Sequence, residues 1–193
     1  LAYSMSDESL FAVSLTLTRE GAAQVARVAE VVHGYVNLLR NALADGSMPA
    51  HVQAERALLA RLAFEFADEA EPVGLCKALA GRMHRLPSTK LLSQPFEWMP
   101  VTDPVTLGAL LDKLSPREAL TLLVIPDGEA SPLADEGDVS HVVEEERWYG
   151  TRYSLRRIPE RILDQWAAAP PHPKLQLPAP NPYVPDHFDL HRE

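Results

Sequence analysis

The chain has a single cysteine, few aromatics, no long apolar run and a shortage of positive charge. Cys76 alone cannot close an internal disulfide, and a lone thiol suits a reducing compartment. No apolar stretch approaches the ~20 residues that a membrane-spanning helix needs, so no membrane partner is expected. Lys and Arg number 18 against 27 Asp and Glu, a formal net charge of -9. Phosphate recognition needs cationic excess, so this balance argues against nucleic acid and anionic membrane surfaces as partners. No Gly-x-Ser-x-Gly elbow and no glycine-rich phosphate loop occurs. The sequence opens on Leu1 without an initiating Met, a basic n-region or an apolar h-region, as expected of a fragment or a processed chain. The expected location is cytoplasmic.

What is present reads as a globular domain. The 193 residues suffice for one domain, and 46% hydrophobic with 23% charged residues is an ordinary soluble composition. Leu10 to Thr18 alternates, with Phe11, Val13, Leu15 and Leu17 on one side, which predicts a half-buried strand. Thr18 is placed to cap a helix from about Arg19. Its stripe of Val25, Val28, Val32, Tyr35, Val36 and Leu39 predicts packing against a sheet. Asp45-Gly46-Ser47 ends it, and Ser47 is a candidate cap for a second helix reaching about Glu69. Val73 to Met83 predicts a third helix. Asp103-Pro104 opens a fourth, with Leu107, Leu110, Leu111 and Leu114 inward. Leu120 to Ile125 predicts a buried strand, and the acidic run from Asp127 to Glu146 a solvated loop. This order implies an α+β two-layer domain, an antiparallel sheet with helices on one face.

The most distinctive stretch is Glu146-Arg147-Trp148-Tyr149-Gly150-Thr151-Arg152-Tyr153, continuing to Ile158-Pro159. Aromatics, Thr and a lone Gly favour an extended segment, with Trp148 on one face and Tyr149, Thr151, Tyr153 and Leu155 on the other. The rings are expected to pack against the sheet; a peptide-binding aromatic shelf is the alternative. Pro159 suits the first turn of a helix whose apolar side is Ile162, Leu163 and Trp166. Leu177-Pro178-Ala179-Pro180-Asn181-Pro182-Tyr183-Val184-Pro185, then Phe188, is too rich in proline for helix or central strand and predicts an extended strap.

This ordered set resembles the insulin-degrading-enzyme branch, with nardilysin, of the pitrilysin/insulinase zinc metallopeptidases. The residues that carry the resemblance are Trp148, Tyr149, Gly150 and Thr151, then Ile158-Pro159, Trp166, Leu177-Pro178, Asn181, Tyr183-Val184-Pro185 and Phe188. Upstream, Phe11 to Gly21, Glu55 with Phe64 to Phe66, and Leu110 to Pro116 also look like the family. The resemblance implies the second, non-catalytic domain over residues 1–169, of the LuxS/MPP-like metallopeptidase fold and incomplete at its N-terminus. It implies that residues 170–193 form a connector toward the next domain. It places zinc and the catalytic Glu in the first domain of the full enzyme, outside this segment. The implied role is a chamber-wall segment of an endopeptidase that cleaves enclosed peptides, and the implied partners are the remaining domains of the same polypeptide and the peptide substrates. An inactive stand-alone scaffold or interaction protein of the same fold is the alternative, and the flanking coding sequence would discriminate the two.

No catalytic or metal site is expected here. His141-Val142-Val143-Glu144-Glu145 matches part of the family's zinc motif, His-x-x-Glu-His, but Glu145 stands where the second His belongs. His33 is expected at the core edge or surface, and no spacing among His33, His51, His84, His172, His187 and His191 matches a ligand set. Cys76 reads as a small buried apolar residue. A third reading, capture of basic peptides by the loop from Asp127 to Glu146, predicts salt-sensitive affinity.

Overall fold

The structure is a computed structural model that describes residues 2–4, 9–97, 103–125, 133 and 143–185. Helices dominate. In chain order the elements are β1 (Ala2–Ser4), β2 (Ser9–Phe11), α1 (Arg19–Ala23), α2 (Val25–Ala44), α3 (Ala50–Glu65), α4 (Pro72–Met83), α5 (Pro104–Lys113), β3 (Glu144–Glu145), β4 (Arg152–Tyr153) and α6 (Glu160–Ala167). Two antiparallel pairs form, β1 with β2 and β3 with β4, with Ala2 opposite Phe11 and Glu144 opposite Tyr153. The chain is thus α+β, with far more helix than strand.

Two compact units result. One comprises Leu1–Leu38 and Leu111–Leu175, the other Leu39–Leu110 and Gln176–Glu193. In the first unit α6 supplies the core. Trp166 is 1% exposed, and Val25, Ile162 and Ala169 are buried with it. The Trp166 indole N–H donates to the Ala26 carbonyl at 2.9 Å, and His33 stacks on the indole with centroids 5.6 Å apart. The amphipathic spacing of Ile162 and Trp166 gives α6 its one buried side, as the sequence predicts. Helix α2 meets α6 through Ala26, Glu30, His33 and Asn37, residues other than those of the predicted stripe.

Helix ends follow local chemistry. Thr18 Oγ1 accepts the Gly21 N–H at 3.1 Å, so α1 starts where predicted. A single continuous helix does not follow. Gln24 leaves helical geometry (φ -129, ψ 37) as its N–H bonds the Gly21 carbonyl, and α2 begins at Val25. Gly46, with φ of 75, ends α2 in a conformation that only glycine adopts freely. Ser47 is not the cap of α3; Pro49 holds that position, and the Ser47 N–H turns back to Asp45 Oδ1 at 2.9 Å. Helix α3 also ends at Glu65, short of Glu69. Glu71 caps α4 by accepting from the Val73 and Gly74 N–H groups. Asp103 caps α5, accepting the Thr106 N–H at 2.8 Å, with Pro104 in the first turn as predicted. On α5, Leu107 and Leu111 are half-buried, but Leu110 is exposed.

The two long strand predictions are corrected. Only Ser9–Phe11 pairs; residues 12–18 run without a ladder, and Phe11, Val13 and Leu15 are exposed. Residues 120–125 likewise form no strand, and Leu120 is 92% exposed. Instead of being buried throughout, Leu123 and Ile125 are half-buried while Leu120, Thr121, Leu122 and Val124 are exposed. A strand needs a neighbour for its N–H and C=O groups, and among the described residues none pairs with either run. The expected loop through Glu146 is partly ordered, since Glu144–Glu145 form β3. The stretch from 126 to 142, apart from Leu133, lies outside the described residues, as do Trp98 and Phe188.

Candidate functional site

The residues singled out by the sequence gather in two places, each within one unit. The first is the turn between β3 and β4. Residues 147–149 are turn, not strand, so the predicted alternation of Trp148 against Tyr149 and Thr151 does not occur. Glu146 explains the turn. Its carboxylate accepts the Trp148 N–H at 2.9 Å and the Tyr149 N–H at 2.7 Å, while its own N–H donates to the Thr151 carbonyl at 2.8 Å. Gly150, at φ 65, closes the reversal in the left-handed region. The expected packing of the rings is also corrected. Trp148 is 78% and Tyr149 91% exposed, because a tight turn throws both side chains outward. Arg147 covers one face of Trp148, its guanidinium carbon 5.0 Å from the ring centroid.

Below the turn, the Tyr153 hydroxyl donates to Glu144 Oε2 at 2.6 Å, and this hydrogen bond to a carboxylate holds the phenol above its ordinary pKa. Pro159 opens α6 as its N-cap, and its carbonyl accepts the Ile162 N–H at 2.9 Å. Arg117 grips the exposed side of α6 through Glu160 and Asp164, and those two carboxylates raise its pKa.

The second place is the strap. The Asn181 N–H donates to Glu55 Oε1 on α3 at 3.0 Å, and Asn181 Oδ1 accepts the Tyr183 N–H at 3.0 Å. His51, one turn before Glu55, donates from Nε2 to the Pro178 carbonyl at 3.1 Å. Proline removes backbone donors, so the strap is held by its few remaining N–H groups and its carbonyls. Pro185 is exposed at its described end. Phe64, also on α3, meets Phe96 at 5.5 Å between centroids.

Several positions that hold these parts were not singled out by sequence. Asn37 Nδ2 donates to the Ala167 and Ala169 carbonyls, at 3.1 and 2.8 Å, and so ties the end of α6 to α2. The buried Glu30 accepts from Arg27 and from Gln165. Gly34 allows the chain to cross α2, since a Cβ there would lie 2.6 Å from the Pro170 carbonyl oxygen. The available signal was polar Asn37 and bare Gly34 inside an apolar stripe.

Glu144 and Glu145 sit on a strand, and Glu144 is engaged by Tyr153, so the partial zinc pattern does not take the helical form that motif requires. His141 lies outside the described residues. Among the described residues no three His, Cys, Asp or Glu side chains converge to hold a metal ion. Cys76 is exposed on α4, contrary to the buried role expected, because none of that helix is buried. No helix among the described residues is long and apolar enough to cross a membrane.

A family model described as the middle or third domain of peptidase_M16 matches residues 64–193. The chain belongs to the M16 peptidase family. Mouse insulin-degrading enzyme is similar, at 28% identity over 180 residues, covering 93% of this chain and 16% of that protein. Human nardilysin is 28% identical over 189 residues, covering 96% of this chain and 15% of its own length. Insulin-degrading enzyme from Drosophila melanogaster is 25% identical over 183 residues, covering 93% and 17%. These relatives put the M16 chain in the insulin-degrading-enzyme and nardilysin branch. It spans only about a sixth of the length of the curated relatives it matches.

Proposed function

We propose that the chain is a non-catalytic wall segment of an insulin-degrading-type zinc metalloendopeptidase that cleaves peptides enclosed in a chamber. The match to the middle or third domain of peptidase_M16 carries this reading. The local geometry supports it, because the matched residues build a strap anchored on a helix and a projecting hairpin. In this reading residues 1–169 form the second peptidase domain, in the two-layer LuxS/MPP-like fold, and residues 170–193 connect to the next domain. Zinc and the general base lie in a separate catalytic domain, with the other domains and the enclosed peptide as partners. The location is cytoplasmic. The segment contributes to catalysis by enclosure and positioning.

The test is peptide hydrolysis. The purified chain of 193 residues is expected to cleave no peptide with or without added zinc. The longer native polypeptide is expected to cleave, and to lose activity on chelation. Zinc-dependent cleavage by the 193-residue chain, abolished by Glu144→Gln, would overturn the reading.

A further inference from the structure

The turn between β3 and β4 is firmly built yet carries two rings that stand largely exposed, with only Arg147 over one face of Trp148 among the described residues. Four hydrogen bonds fix it: Glu146 N–H to Thr151 O, Gly150 N–H to Glu146 O, and the Trp148 and Tyr149 N–H groups to the Glu146 carboxylate. Its main chain is therefore ordered before any partner arrives, so little conformational entropy is left to lose on docking. Trp and Tyr are the side chains that most often dominate binding energy, since each adds a large apolar area and one polar edge. Here both stand in water on adjacent positions.

We propose that residues 147–150 form a docking knob that seats Trp148 and Tyr149 in an apolar cleft on another domain of the same polypeptide. This rests on the reading of the chain as one segment of a larger peptidase. Relatives in which the matched region is 16% of the length leave ample chain to supply such a cleft. A second copy is the poorer occupant, because two bodies each carrying a net charge of -9 repel. The cleft must present hydrogen-bond acceptors at its floor, one for the indole N–H and one for the phenol O–H.

Chymotrypsin cuts after exposed aromatics, so the knob reports its own burial. The 193-residue chain and the longest native polypeptide containing it are digested under native conditions, and cleavage after Trp148 and Tyr149 is followed by mass spectrometry. Cleavage there is expected to be slower by about tenfold or more in the longer polypeptide, where docking closes the site. In a second arm, Trp148→Ala/Tyr149→Ala is expected to lower the melting temperature of the longer polypeptide by about 2–4 °C or more and to leave that of the shorter chain within about 1 °C. Equal cleavage in both proteins, equal melting shifts, protection appearing only when peptide is added, or ring-dependent self-association of the shorter chain would each overturn the knob. So would a native polypeptide with no further domain. A protected knob in a polypeptide without zinc-dependent hydrolysis would sink the peptidase reading alone, whereas hydrolysis with an unprotected knob would sink only the knob.

Discussion

The Glu55 carboxylate receives the backbone N–H of Asn181 at 3.0 Å, joining a helix and a proline-rich strap that are 126 residues apart in sequence. Helix α3 buries no residue, so the strap depends on a few polar contacts and not on a shared core. Glu55→Ala is expected to cost about 1 kcal/mol in urea unfolding, the usual net worth of one hydrogen bond. Glu55→Gln keeps an acceptor and should cost less. Amide exchange at Asn181 should rise in Glu55→Ala; unchanged exchange there would show that the carboxylate does not hold the strap.

Trp166 is the largest side chain fully buried among the described residues. Trp166→Ala is expected to destabilise the chain by about 3–5 kcal/mol, the range for deleting a buried large aromatic. Trp166→Phe keeps most of the apolar area but leaves the Ala26 carbonyl without its indole donor. Its cost should fall between those of wild type and Trp166→Ala, about 1–3 kcal/mol. Chemical denaturation measures both, and equal losses in the two variants would show that the indole N–H, not the packed ring, dominates.

Asp103 gives a pH signature. Hydrogen bonds from the Thr106 hydroxyl, from the Thr106 N–H and from the Val105 N–H hold its carboxyl below the ordinary 3.8. A depressed carboxylate stabilises the folded state fully above its unfolded pKa and loses that contribution as pH falls through the lower folded value. Asp103→Asn retains a cap acceptor that does not titrate. Wild type should therefore lose stability relative to Asp103→Asn as pH falls from about 5 to about 2. Thermal melts of the two proteins across that range check this, and a constant difference would show that the cap does not titrate with folding.

Helix starts were legible where one side chain and one N–H decide them, as at Thr18 and Asp103. The buried side of α6 was legible from Ile162 and Trp166. Strands were not, because a ladder belongs to two segments and alternation in one says nothing of its neighbour. Residues 120–125 have the apolar run of a buried strand and, among the described residues, lack the partner. At the hairpin, the aromatic content of Trp148 and Tyr149 suggested packing, while the decisive residue was Glu146, whose carboxylate binds two amides and forces the turn. The strap's proline run was legible, but its anchors, His51 and Glu55, depended on a fold that spacing alone does not give.

The bare position at Gly34 sets the path of the chain beyond α6. A Cβ at this position would lie 2.6 Å from the Pro170 carbonyl oxygen, closer than a side chain tolerates. The crossing over α2 therefore needs a residue without a side chain at Gly34, and any substitution there would push the chain after α6 away from the helix.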